Sequence, residues 1–246
     1  MDKLIYTAMS GAKNNTLAQA VHANNLANMM TTGFRADFTQ ARSMQVFGGS
    51  FPSRVYSASE IPGTDFSQGS LKETARSLDV AIKGEGFIAV EGADGLEAFT
   101  RAGDLYVDDI GFLRTGTGIS VFGDGGPIVI PPFEKLEIGR DGTISIRGQG
   151  QGPEALNQVG RIKLVNPDTT TIVKGSDGLF RRIDGLIEPA AAEVSLSSGF
   201  LETSNVNAVE AMTSILTLSR QFEIQVKMIR TAEENDETAT RLLQVN

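Results

Sequence analysis

The chain has 246 residues, 40% of them hydrophobic and 21% charged, ordinary globular usage that excludes a wholly disordered or membrane-embedded protein. With no cysteine and one histidine, His22, it cannot build disulfides, thiolate nucleophiles, Cys-ligated zinc or a His-based metal cluster within one chain. A formal net charge of −8 argues against a nucleic-acid surface, which needs clustered Lys and Arg.

The first ten residues lack the apolar stretch of a secretory signal, and no later run approaches a membrane span. The expectation is a chain with no cleaved signal peptide and no direct membrane insertion. All eight prolines lie between Pro52 and Pro189, and every glycine except Gly11 and Gly33 lies between Gly48 and Gly199. Because Gly and Pro cost a helix interior roughly 1 and 3 kcal/mol, the breaker-poor ends predict helices and the crowded middle predicts turns.

At the N-terminus Asp2 is placed to cap a helix whose small and apolar positions are Ile5, Met9, Ala12, Thr16, Ala20, Ala23 and Ala27, at spacings of three and four. Gly33 is a plausible stop. The stripe is mostly alanine, so it buries little area alone but lets another helix approach closely. Asn24, Asn25 and Asn28 crowd its end, where side-chain amides either terminate the helix or bridge to a neighbouring backbone. His22 among them reads as a polar contact on the helix face.

Residues 34–75 show neither sustained helical nor strand periodicity, and Gly48, Gly49, Pro52, Pro62, Gly63 and Gly69 predict an extended linker. The middle then predicts short strands at 87–90, 97–101, 105–107, 119–122, 128–130, 143–146, 161–165 and 170–173. Asp94-Gly95, Asp141-Gly142 and Asp177-Gly178 are hairpin-type signals, since both residues tolerate the positive φ of tight turns. A β sandwich or irregular barrel fits this spacing.

The last segment has a clear start: Asn207 followed three residues later by Glu210 resembles a capping box, with Val206 and Ala211 placed as a hydrophobic staple. Thereafter Ala208, Met212, Ile215, Ser219, Phe222, Val226 and Ile229 alternate spacings of four and three. A periodic pattern over 208–244, roughly 55 Å at about 1.5 Å per residue, predicts a coiled-coil-like helix. Residues 1–45 carry a balance of +2 and residues 201–246 one of −3, so the ends attract, although exposed ion pairs contribute only about 0–1 kcal/mol each.

Chemistry is sought and mostly not found. Gly148, Gly150 and Gly152 follow a strand-like run, but Pro153 stands where a dinucleotide fingerprint needs its third glycine, so a flexible loop is expected. No GxxxxGK[ST] run occurs. Asp104, Asp108 and Asp109 before Gly111 lack the calcium-loop spacing and read as solvated hairpin residues. Carboxylate pairs for glycoside hydrolysis are numerous and nothing selects one. The sequence thus offers no catalytic, cofactor-binding or metal-binding residue.

Two terminal runs carry more specific information. Ala23-Asn24-Asn25-Leu26-Ala27-Asn28 with Thr32-Gly33-Phe34-Arg35, and Ser204-Asn205-Val206-Asn207 with Glu210, Met212, Arg220, Phe222-Glu223 and Lys227, resemble the terminal signatures of bacterial flagellar rod and hook axial proteins. The interior run Leu78 to Phe87 with Phe99-Thr100-Arg101-Ala102-Gly103 resembles the start of that family's β domain, so the resemblance spans essentially the whole chain. The proximal-rod type matches best, with the distal-rod type its rival. Met29-Met30 and Phe222 depart from the smaller or Tyr residues common in the family.

The resemblance implies a structural subunit of the flagellar basal-body rod, helically assembled into a hollow torque-transmitting shaft that spans the periplasm. It also implies no catalysis, export through the flagellar type III apparatus, and proximal and distal rod proteins as partners. The expected architecture is α+β: paired long N- and C-terminal helices, coiled-coil-like, flank a central all-β domain. The terminal helical assembly domain is expected at 1–33 and 204–246, the linker at 34–75 and the β-rich outer domain at 76–203. The expected subunit-interface residues are Ile5, Met9, Ala12, Ala20, Ala23, Asn24, Asn25, Asn28, Met212, Ile215, Phe222, Val226 and Ile229. A distal-rod or hook-type subunit, a secreted β-rich adhesin and a glycan-active enzyme remain alternatives.

Overall fold

The computed structural model describes residues 4–45, 55–59, 63–148, 150 and 156–244. Asp2, Gly48, Gly49, Pro52, Pro62, Gly152 and Pro153, used above as cap, breakers and loop, lie outside them. The expected pair of long terminal helices in an α+β fold is corrected. The described residues form twenty strands with one helix at each end, so the protein is mostly β, with its central β domain present.

The N-terminal helix α1, Leu4–Ala27, has 24 residues, whereas the C-terminal helix α2, Ala208–Gln244, has 37. The inequality has a local cause. Asn28 donates from its amide Nδ2 to the Asn24 carbonyl at 3.0 Å and its own N–H is shared between the Asn24 and Asn25 carbonyls, each at 3.1 Å. The last turn therefore closes on itself, and the chain then turns through Gly33 at φ +66°. At the start of α2, Asn207 Oδ1 accepts from the Val209 and Glu210 N–H groups at 3.1 and 3.4 Å, which is the expected N-cap.

The chain folds into two units. The first comprises Met1–Met29, Ala36–Asp65 and Val206–Asn246. In it α1 packs against α2. Strand Asp37–Phe38 pairs antiparallel with Gly63–Thr64, and Ala41–Gln45 pairs with Val55–Ser59. The described residues of 34–75 thus hold five short strands, Leu71–Glu73 being the last. They escape sequence patterning because they are short, and those of them with described side chains are mostly half-buried or exposed, so no alternation marks them.

The second unit, Met30–Arg35 and Phe66–Asn205, is the β body. A five-stranded antiparallel sheet runs in the order Leu164–Val165, Phe87–Glu91, Glu97–Thr100, Phe180–Arg182, Ile172–Lys174. Its second strand is buried on both faces: Ile88 and Val90 enter the main core, while Phe87 and Ala89 join Phe99, Val165, Ile172 and Phe180 in a second cluster. This explains the unbroken apolar run Phe87 to Val90. A three-stranded sheet, Phe133–Ile138, Thr143–Gly148, Asn157–Arg161, adds Leu136, Ile138, Ile144 and Ile146 to the main core.

All three Asp-Gly signals sit at hairpins, with Gly95, Gly142 and Gly178 at φ +75°, +84° and +80°. Asp108 is also a turn residue. Its carboxylate accepts from the Ile110 and Phe112 N–H groups and pairs with Arg114 at 2.7 Å, and the Arg114 hydrogen bond holds it below the usual Asp range. Val129 of the expected 128–130 strand makes only an isolated bridge to Phe112. Gly148 ends a strand and Gly150 is exposed at φ +81°.

Candidate assembly surface

The α1–α2 contact is made by small side chains. Ala8 and Ala12 of α1 and Ala211 and Ala232 of α2 are the fully buried apolar residues of the two helices among those described. At Gly11 a Cβ would stand 3.1 Å from the Gln225 side chain. Asn14, Asn15, His22, Thr213, Thr217 and Gln221, with Ala18 and Leu218, line a cleft of about 520 Å³ of mixed polarity beside the two helices. Alanine and glycine let the backbones approach, but they bury little area, less than the leucine-type seam of a coiled coil. Helices held this weakly are marginal in water. Limited proteolysis of the monomer should therefore trim the chain outside roughly residues 35–200 before cutting the β body; helices that resist cleavage in a demonstrated monomer would contradict this.

The expected interface residues fall on different sides of this contact. Ala12 and Asn25 are buried within the chain, while Ile5, Asn28, Ile215, Val226 and Ile229 are half-buried. Met9, Ala20, Ala23 and Asn24 are exposed on α1, as are Met212 and Phe222 on α2, with Met9 at 55%, Met212 at 49% and Phe222 at 39%. Tyr6 and Leu17 extend the outward face of α1, and Val209 and Leu216 that of α2. Lys13 is the only Lys, Arg, Asp or Glu on α1. The outward face of α1 is thus apolar or small around this one charge, whereas on α2 the exposed apolar residues are interleaved with the exposed Glu210 and Arg220.

Asn25 does more than end a helix. Its Nδ2 donates to the Asp37 carbonyl at 2.6 Å and its Oδ1 accepts from the Asp37 N–H at 2.9 Å. One side-chain amide thus satisfies both backbone groups of a strand residue, which fixes strand Asp37–Phe38 against α1.

In the β body the segment Thr32-Gly33-Phe34-Arg35 docks on the strand Phe200–Glu202 and its continuation. Gly33 N–H donates to the Glu202 carbonyl at 2.9 Å and Asn205 N–H to the Phe34 carbonyl at 3.3 Å. Lys174 Nζ caps the Arg35 carbonyl at 2.8 Å and lies 3.9 Å from the Phe34 ring centroid. Arg35 itself is buried, with Nη2 2.6 Å from Glu202 Oε1, and Arg101 Nε stands 3.1 Å from Glu202 Oε2. Arg101 also donates to the Gly84 carbonyl. Burial lowers the Arg101 pKa to about 10; Glu202 opposes the shift and Arg35 adds to it.

Sequence reasoning singles out Arg35 and Arg101 only within motif runs and passes over Glu202. The available signal is a charge next to each terminal signature, opposite in sign. No group of three metal-ligating side chains occurs among the described residues, and none of their helices is long and apolar enough to cross a membrane.

Three family profiles match in chain order. Residues 5–35 match "Flagella basal body rod protein", residues 81–146 match "Flagellar hook protein FlgE/F/G D1 domain" and residues 197–242 match "Flagellar basal body rod FlgEFG protein C-terminal". Arg35, Arg101 and Glu202 fall one in each. The chain is 40% identical over 252 residues to the flagellar basal-body rod protein FlgF of Salmonella typhimurium, and equally to that of Escherichia coli K12, with full coverage of every chain. The chain belongs to the flagellar basal-body rod protein family. A rod protein named FlgG from Bacillus subtilis is 32% identical over 257 residues, covering 95% of this chain and 96% of its own. As a member of the rod family the chain is a structural subunit of the flagellar basal body, and that family assembles with other rod components.

Proposed function

We propose that this subunit occupies the proximal rod and assembles helically through the outward faces of α1 and α2. The observation that carries the reading is the exposed apolar stripe Tyr6, Met9 and Leu17 on α1, matched by Val209, Met212 and Leu216 on α2. A face that cannot bury itself within one chain gains its stability from neighbours, and a contact that does not close on itself propagates as a helix. The proximal position is supported by the 40% identity to the FlgF proteins of S. typhimurium and E. coli, against 32% to the B. subtilis protein named FlgG.

On this reading the subunit reaches the periplasm-spanning rod through the flagellar export apparatus without a cleaved signal peptide, neighbours proximal and distal rod proteins, and performs no catalysis. Its work is mechanical: the β body supplies bulk and the helices supply the joint. The test is fractionation of cells making the tagged chain. The chain is expected in purified hook–basal bodies stripped of membrane; recovery only from cytoplasm or culture medium, with normally built rods, would refute the assignment.

A further inference from the structure

We propose that the Glu202 carboxylate is a three-way clasp that holds together the chain segments entering and leaving the β body. The chain enters this unit at Met30, leaves after Arg35, returns at Phe66 and departs after Asn205. Segment Met30–Arg35 is gripped through Arg35 Nη2 on Oε1 at 2.6 Å. The return segment is gripped through the Gly69 N–H on the same oxygen at 3.0 Å. Glu202 itself lies on the departing strand, which pairs with Leu71–Glu73. The body contributes Arg101, whose Nε stands 3.1 Å from Oε2 as an ion pair without a hydrogen bond.

One carboxylate thus meets three pieces of chain far apart in sequence, alongside the backbone bonds from Gly33 to Glu202 and from Thr203 to Ser70. The side chains of Arg35, Arg101 and Glu202 are 0%, 3% and 2% exposed. Arg35 Nε and Nη1 have no hydrogen-bond partner, so Glu202 is the only side-chain acceptor Arg35 has among the described residues. Without the carboxylate, two buried guanidinium groups would face each other with only the weaker pull of Glu85 on Arg101 to offset their charge, a state folding avoids. Close packing reinforces the grip: a Cβ on Gly69 would come within 1.9 Å of the Thr203 carbonyl oxygen, and one on Gly33 within 2.3 Å of the Arg101 carbonyl. Arg101 reaches the second apolar cluster, its guanidinium carbon standing 5.8 Å from the Phe87 ring centroid, so the strands Phe133–Ile138 and Thr143–Gly148, whose buried residues belong to the main cluster, serve as the reference for the body.

Hydrogen–deuterium exchange of the purified full chain tests this by segment. In Glu202→Gln, peptides covering 30–35 and 66–71 should exchange at least about tenfold faster than in the unaltered chain, while those covering Phe133–Ile138 and Thr143–Gly148 keep their protection. In Arg35→Met, Arg101 still balances Glu202 and Gly69 keeps its acceptor, so only 30–35 should be released. Unchanged exchange in both segments of Glu202→Gln, or uniform acceleration across the body in Arg35→Met, overturns the proposal. If Glu202→Gln fails to fold, Arg35→Met decides: selective release of 30–35 supports the clasp, and either of its other outcomes removes it.

Discussion

Cells carrying Phe222→Asp together with Ile229→Asp are expected to lose swimming although the β body of the subunit stays folded. In one chain Phe222 is 39% exposed and Ile229 half-buried, so each retains apolar area for a neighbour to cover. Full burial of a side chain of this size contributes about 1.5–3 kcal/mol, and an Asp in its place leaves an unpaired carboxylate in a contact that excludes water. Repeated at every subunit of a helical array, that loss prevents incorporation. Ile229 lies towards the α1 side of α2, so part of its effect passes through the α1–α2 contact. The companion pair Val209→Asp and Leu216→Asp, at positions 70% and 60% exposed, isolates the outward face and is expected to give the same loss. Motility, detection of the subunit outside the cytoplasm and circular dichroism of the purified variants are the measurements. Normal swimming with either pair would remove α2 from the joint, and absence of the subunit outside the cytoplasm would identify a secretion defect instead.

The parts of the fold legible in the sequence are those governed by local chemistry. Asn207 caps α2 because its side chain needs only the next two or three N–H groups, and the three Asp-Gly turns need only positive φ. What escapes depends on distant partners. Strand Phe133–Ile138 reads as polar because Glu134, Lys135 and Glu137 outnumber the buried Leu136 and Ile138, and only its pairing with Thr143–Gly148 reveals it. The periodic stripe of α2 lies one flank away from its covered side. The buried positions of α2 among those described are Ala211 and Ala232, small residues that hydrophobicity counting ranks low. Glu202 is illegible for the same reason: a lone Glu at the end of a short strand looks solvated until Arg35 and Arg101 arrive from 167 and 101 positions upstream.

Gly103 shows how a motif residue acquires its necessity from packing, and Gly103→Ala is expected to be the most damaging single methyl group in the β body. A Cβ there would stand 1.7 Å from the Val80 carbonyl oxygen and 2.8 Å from its carbonyl carbon. That oxygen belongs to backbone, so no side-chain rotation relieves the overlap. The Gly103 carbonyl accepts from the Val80 N–H at 2.9 Å, and Val80 is fully buried in the main core beside Ile82, Leu105 and Leu196. Moving Val80 away therefore breaks that hydrogen bond and opens the core at strand Val80–Lys83, which pairs with Ser195–Ser198. Overpacking of this severity costs about 3 kcal/mol or more. At roughly 2–4 °C per kcal/mol for a domain of this size, Tm should fall by about 6–12 °C. Gly125→Ala is the matched control, because a Cβ at Gly125 meets nothing within 4 Å and its φ is not in the left-handed region. That replacement should leave Tm unchanged or raise it slightly. Thermal unfolding of the two variants side by side checks the argument, and equal midpoints would mean that the close approach of Gly103 to Val80 does not hold this part of the core.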